Sequence, residues 1–266
     1  DHSGAMWVPP FDDPLIIAGQ GTVGLELLDE APDVHTIIVP VGGGGLISGV
    51  ATAMKERDPR ARVVGVEAVG AAAMRASLDQ GRCVVLDAVD TMADGIAVRA
   101  PSDLTLEHVR TYVDDVVTVT EGEIGRALIL LLERSKAVVE PAGAVSLAAI
   151  LAGKIPGTDP VVALLSGGNV DPLLLIKLIE HGLTAAGRYI MMRIVLEDRP
   201  GALASLTDAV AKLGLNVLSV EHHRVGVTLG LDKVQVTLTV ETRDPEHRDD
   251  AARALAAAGF EVELGN

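Results

Sequence analysis

Four consecutive glycines, Gly42 to Gly45, separate the β-branched run Thr36 to Val41 from a helical pattern over Ile47 to Arg57 that Asp58-Pro59 stops. A strand that empties into glycines and resumes as a helix is the first half of a βαβ unit. Arg62 to Val66, a second apolar run, supplies the other strand, so the two strands are expected to be parallel and joined by a right-handed crossover. The pattern continues with a strand over Asp115 to Val119, helices over Glu121 to Glu133 and Gly143 to Ala152, and a strand over Val161 to Leu165 that runs into Ser166-Gly167-Gly168. The first part of the chain therefore reads as a parallel three-layer α/β domain. An aromatic content of 2% against 48% hydrophobic residues agrees, because a core of Ala, Val, Leu and Ile suits close helix-on-sheet packing.

After a helix around Leu173 to His181, the stretch Leu183 to Gly187 carries little apolar periodicity and reads as a linker. Beyond it, Tyr189 to Leu196 alternates as a strand, Gly201 to Leu213 is an amphipathic helix and Asn216 to His223 a second strand. Lys233 to Glu241, His247 to Ala258 and Phe260 to Leu264 follow as strand, helix and strand. The order βαββαβ predicts a ferredoxin-like antiparallel sheet covered by helices on one face. Two domains suit 266 residues, at a prior of about 150 residues each. The expected division is a first domain over 1–183, a linker over 184–188 and a second domain over 189–266.

A formal charge of −15, from 37 acidic and 22 basic residues, repels nucleic acid and anionic membrane surfaces, and its dispersion points to a hydrated surface. The most apolar stretches, Ala127 to Leu132 and Pro172 to Ile179, fall short of the ~20 residues of a membrane helix. Cys83 stands alone, which excludes an internal disulfide or cysteine zinc site and suits a reducing cytoplasm. Asp1-His2-Ser3-Gly4-Ala5-Met6 shows no signal core and reads as a cut end.

The loop Val41 to Leu46 offers side-chain-free backbone at a helix N-terminus, where amides and partial positive charge suit a phosphate. A tight turn alone would not need four glycines and their entropic cost. A dinucleotide site competes, since Glu67 ends the next strand where an acid could hold a ribose. The G-x-G-x-x-G fingerprint, however, meets Ile47 or Ser48 where its third glycine belongs. Ser166-Gly167-Gly168-Asn169 follows another strand, so it should emerge at the same sheet edge and share one crevice with the glycine loop. Ser166 could hydrogen-bond a ring nitrogen or simply cap the next helix; it lacks the G-x-S-x-G frame of a hydrolase elbow.

Six segments, in order and spacing, resemble threonine dehydratases of the tryptophan-synthase-β-like fold, type II of the pyridoxal-phosphate enzymes. They are Pro10-Phe11-Asp12-Asp13-Pro14, Ile17 to Thr22, the tetraglycine loop, Ala93-Asp94-Gly95-Ile96-Ala97, Val139-Glu140-Pro141-Ala142-Gly143 and Leu165 to Asn169. The resemblance implies that Gly42, Gly43, Gly44, Gly45 and Leu46 hold the phosphate of pyridoxal 5'-phosphate. It also implies that Ser166 faces the pyridine nitrogen and that Gly95 and Glu140 line the pocket near the ring. A neutral hydroxyl at that nitrogen steers the chemistry toward β-elimination, in which L-threonine, and L-serine beside it, loses water and ammonia to leave a 2-oxo acid.

Two departures accompany the resemblance. The family's Schiff-base lysine belongs to a portion preceding these motifs, and Lys55, Lys136, Lys154 and Lys177 lack its motif, so this chain alone is expected to be inactive. Glu67 matches the first ligand position of a metal site in some relatives and Ala71 could supply a carbonyl, but Ala73 replaces the second carboxylate. No metal is therefore expected, and Glu67 reads as solvated or helix-capping.

From about Tyr189 to Leu264 the chain is similar to ACT domains, which implies an amino-acid effector held by Asp198, Arg199, Pro200 and Gly201, with Asn216 as a further contact. Pro-Gly is also ordinary helix-entry chemistry. ACT domains commonly pair, which implies at least a dimer. His222 and His223, beside Arg224, have no carboxylate or cysteine at ligand spacing and read as a solvated strand end, as does His35. The expected function is a PLP-dependent lyase with ACT regulation; the alternative is a non-catalytic amino-acid-binding protein, and a Rossmann dehydrogenase ranks third.

Overall fold

The computed structural model describes residues 7–157, 160–185, 188–223 and 232–265. Backbone contacts divide the chain into two compact units, Asp1–Leu175 and Ile176–Asn266.

In the first unit, β1 (Thr36–Pro40), β2 (Arg62–Ala68), β3 (Asp115–Val119) and β4 (Val161–Ala163) form a parallel sheet in the order β3-β2-β1-β4. All of β1 is buried, as a central strand with both faces covered requires, which is why it reads as an unbroken apolar run. Ile37 and Val39 join Ile47, Val50 and Met54 of α2 (Gly45–Arg57) and Leu106 and Val109 of α4 (Asp103–Tyr112) in one cluster. Ile38, pointing the other way by strand alternation, is equally buried. The helix α6 (Pro141–Leu151) touches all four strands. Its small residues Ala142, Ala144, Ala148 and Ala149 let it lie close against the sheet.

The helix α1 (Pro14–Glu30), capped by Asp13 with Pro14 in its first turn, packs along α2. The contact is made by glycines. A Cβ on Gly24 would stand 2.9 Å from the Val50 carbonyl oxygen, and one on Gly49 would overlap the Ile17 carbonyl. α3 (Ala73–Gln80) follows β2, and α5 (Glu121–Leu130) opens with a capping box of Thr120 and Glu123 and ends in a π-helical turn over Leu131–Ser135. β4 stops at Ala163, two residues before the strand expected from the apolar run. α7 (Pro172–Ala185) runs past the expected His181 into the first residues of the expected linker; 186 and 187 lie outside the described residues.

The second unit contains β5 (Tyr189–Glu197), α8 (Ala202–Lys212), β6 (Val217–His223), β7 (Lys233–Glu241), α9 (Pro245–Ala257) and β8 (Glu261–Leu264). Its sheet is antiparallel, ordered β6-β7-β5-β8, which is the ferredoxin-like topology. Strict alternation buries Ile190, Met192 and Ile194 of β5 and Val234, Val236, Leu238 and Val240 of β7 beneath Leu206 and Val210 of α8 and Leu255 of α9. Among the described residues no helix is long and apolar enough to cross a membrane.

Candidate functional site

The register of the parallel sheet places the site. β1 pairs with β4 through Ile38 and Ala163, and the Leu164 amide donates to the Ile38 carbonyl, so Val41-Gly42 and Leu165-Ser166 leave the sheet side by side at its carboxyl edge. Between them lies a cleft of about 240 Å³. Gly42, Gly43, Gly44, Gly45, Leu46, Gly95, Glu140 and Ser166 all line it, with Pro10, Phe11, Ile96 and Ala142.

At one end is the start of α2. Its N-cap is Gly44, held at φ 93°, a left-handed conformation that favours glycine, and it has no side chain with which to cap the helix. The first-turn amides thus lack a side-chain acceptor and present partial positive charge to the cleft. The glycines answer a second demand as well. A Cβ on Gly43 would overlap the Phe11 ring, one on Gly45 would meet Phe11 Cβ at 2.8 Å, and one on Gly44 would meet Thr105 Cβ at 2.9 Å. Thr105, buried on α4, donates its hydroxyl to the Gly43 carbonyl at 2.7 Å and fixes the loop from beneath. Phe11 and Thr105 are site-shaping residues that the sequence did not single out; the only signal was Phe11 within the Pro10 to Pro14 segment.

Across the cleft stands Ser166. It does not cap the next helix: Asp171 does, accepting the Leu173 amide at 2.8 Å. Glu140, the N-cap residue of α6, accepts the Asn169 amide at 3.0 Å, and Gly95 lies close enough that a Cβ there would sit 3.1 Å from Glu140 Oε1. An uncapped helix N-terminus at one end, a hydroxyl at the other and apolar walls from Phe11, Ile96 and Ala142 fit a phosphate-bearing ring compound.

Among the described residues no lysine lines this cleft. Lys55 pairs with Asp114 at 2.8 Å, Lys154 with Glu123 at 2.7 Å and with the Thr118 carbonyl, and Lys136 donates to the Glu133 carbonyl. Lys177 lies on exposed α7 surface. Of the two expectations for Glu67, solvated or helix-capping, the second holds. Glu67 is fully buried rather than solvated, and its carboxylate accepts the Met74 and Arg75 amides at 2.8 Å each, capping the first turn of α3. Burial pushes its pKa up to about 7 against the opposing pull of those amides and of Arg75. So engaged, it is not available to a ribose, and among the described residues no group of three or more His, Cys, Asp or Glu could hold a metal.

In the second unit, Asp198, Arg199, Pro200 and Gly201 line a cleft of about 350 Å³ together with His222. Gly201 repeats the arrangement of Gly44: it is the N-cap of α8 at φ 90° with no side-chain cap. Asn216 lies elsewhere, in a cleft of about 410 Å³ with Arg188, Arg243 and His247, where its amide donates to Glu241 at 3.3 Å. One chain does not bring Asn216 to the loop. His222, exposed as expected of a solvated strand end, does reach it. His223 and His35 are exposed, as expected of solvated strand ends, although each has a carboxylate beside it: Glu221 stands 3.4 Å from His223 Nε2, and His35 pairs with Asp58 at 2.9 Å. Arg224 lies outside the described residues.

Residues 1–167 match the family described as pyridoxal-phosphate dependent enzyme, and residues 190–260 match the ACT domain. An L-threonine ammonia-lyase of Thermotoga maritima is 45% identical over 99% of this chain, and the chain spans 66% of that relative's length. The crystal structure of a threonine deaminase from T.th. is similar at 45% identity and a TM-score of 0.59, covering 61% of each chain. That of maize serine racemase is similar at 39% identity and a TM-score of 0.63, over 69% of this chain and 57% of the other.

Proposed function

Because the chain belongs to the pyridoxal-phosphate-dependent enzymes, in the threonine ammonia-lyase family with a C-terminal ACT domain, we propose that it is the cofactor-cradling and regulatory part of an enzyme that deaminates L-threonine, and L-serine beside it, to a 2-oxo acid and ammonia. The observation that carries the reading is the cleft in which an uncapped glycine N-cap and Ser166 face each other from neighbouring parallel strand ends. Gly42 to Leu46 would bind the phosphate through backbone amides, and Gly95 and Glu140 would flank the ring. Pyridoxal phosphate, when bound, supplies the electron sink that lets an amino acid lose its Cα proton. Ser166 would hold a neutral hydroxyl at the ring nitrogen and so leave that nitrogen without a full positive charge. Phe11 and Ile96, which lie against the loop glycines, would cover the apolar side of a bound ring.

The absence of a lysine from the described lining of the cleft favours a second statement: this chain on its own binds but does not turn over, which is also where a non-catalytic binding role would begin. We place the domains at 1–183 and 189–266, the effector at Asp198 to Gly201 with Asn216 reaching a loop only across a pair of chains, and the protein in the cytoplasm, in keeping with its free Cys83. The test is titration with pyridoxal phosphate followed by absorbance, with assay of 2-oxobutanoate from L-threonine. Saturable binding without turnover by this chain, and turnover by a protein that adds the lysine-bearing portion, is the expected result. Failure to bind pyridoxal phosphate while inorganic phosphate binds would replace the lyase reading with that of another phosphate site.

A further inference from the structure

The side chain of Glu140 is turned away from the helix it begins. As N-cap of α6 it makes no side-chain bond to its own first turn. Instead its Oε2 accepts the Asn169 amide at 3.0 Å, while its own amide donates to the Gly167 carbonyl at 3.3 Å. Gly167 stands at φ 86° with no room beside it: a Cβ there would overlap the Glu140 carboxylate, and a Cβ on Gly143 would overlap the Ser166 carbonyl. The turn from Ser166 to Asn169 is thus held by two hydrogen bonds to Glu140 at the start of α6, with Gly143 packed close against the Ser166 carbonyl. The charged acceptor makes the Asn169 bond stronger than a neutral one, and the partial positive charge of the α6 N-terminus favours the carboxylate there. Because α6 touches all four strands, the turn is referenced to the sheet rather than to a loop.

We propose that Glu140 is a positioning residue: its carboxylate clamps the Ser166–Asn169 turn and thereby sets the direction of the Ser166 hydroxyl in the cleft. The clamp itself stands on the hydrogen bonds above; its consequence for a bound ring rests on the cofactor reading. A carboxylate that instead contacted the cofactor directly would not need to bond Asn169.

Two measurements on the whole chain separate these statements. Amide hydrogen exchange without cofactor reads the clamp. Glu140→Ala should speed exchange of the Asn169 amide by ~tenfold, and Glu140→Gln, whose carbonyl still accepts, should stay within ~threefold of the parent. Unchanged exchange in Glu140→Ala overturns the clamp. Absorbance on added pyridoxal phosphate reads the consequence: Glu140→Ala should bind ~tenfold more weakly with a displaced band, and Glu140→Gln should restore both. A Gln variant as impaired in binding as Ala, with normal exchange, would make Glu140 a direct charge contact and overturn the positioning role. If the parent chain binds no pyridoxal phosphate, the cofactor reading falls and the exchange result alone decides the clamp.

Discussion

A carboxyl group lies buried at the end of β2, where Glu67 gives both oxygens to the first turn of α3. Burial is the larger influence and raises its pKa to about 7, above its ordinary value of 4.5. The folded state therefore binds a proton between pH ~4.5 and ~7 that the unfolded chain releases, so stability is fullest below this window and falls as pH rises through it. The loss should be on the order of 3 kcal/mol between pH ~4.5 and ~7.5. Urea unfolding of Glu67→Gln across that range should show this part of the pH dependence removed; a variant with the parent's slope would place the titration elsewhere. From sequence, an acid at a strand end was compatible with a ribose, a metal or a helix cap. Only the folding of α3 back over β2, a tertiary event that no local pattern encodes, decides for the cap.

The helix pair α1 and α2 shows the same lesson one level up, because glycine is used in two opposite ways within it. Gly19 lies exposed on α1 with no atom within 4 Å of where a methyl would stand, so Gly19→Ala should stabilise by roughly 0.5–1 kcal/mol through helix propensity alone. Gly49 lies where α1 crosses, and a methyl there would overlap the Ile17 carbonyl and stand 2.6 Å from the Gly21 nitrogen. Backbone cannot yield as a side chain can, so Gly49→Ala should cost about 1–3 kcal/mol despite the same propensity gain. Thermal melts of the two variants should move in opposite directions. α1 carries Gly19, Gly21 and Gly24, three poor helix formers, within its span and was not legible in advance, whereas α2, α5 and α6 were. α3 and α4 are short, and α4 is fixed by Ser102 and Thr105, a capping box with threonine where Glu or Gln is usual. The cleft residues were legible because they cluster in contiguous motifs; Thr105 was not, since its role comes from a bond to Gly43 across 62 positions.

At the scale of the whole chain, two kinds of burial were written in two kinds of strand. β1 reads as a solid apolar run because helices cover both faces, while β5 and β7 alternate because one face of their sheet is covered by α8 and α9. Each pattern builds its own core, the first around Ile37, Ile47 and Met54 and the second around Ile194, Leu206 and Leu238. A domain with its own core unfolds as its own cooperative unit. Leu238 is fully buried in the second core, so Leu238→Ala should remove about 2–5 kcal/mol from that unit. Hydrogen exchange should then quicken across β5, β6 and β7 while β1 and β2 keep the protection of the parent chain. Equal loss of protection in both sheets would mean that the two cores open together, and a single unfolding transition in the parent would say the same.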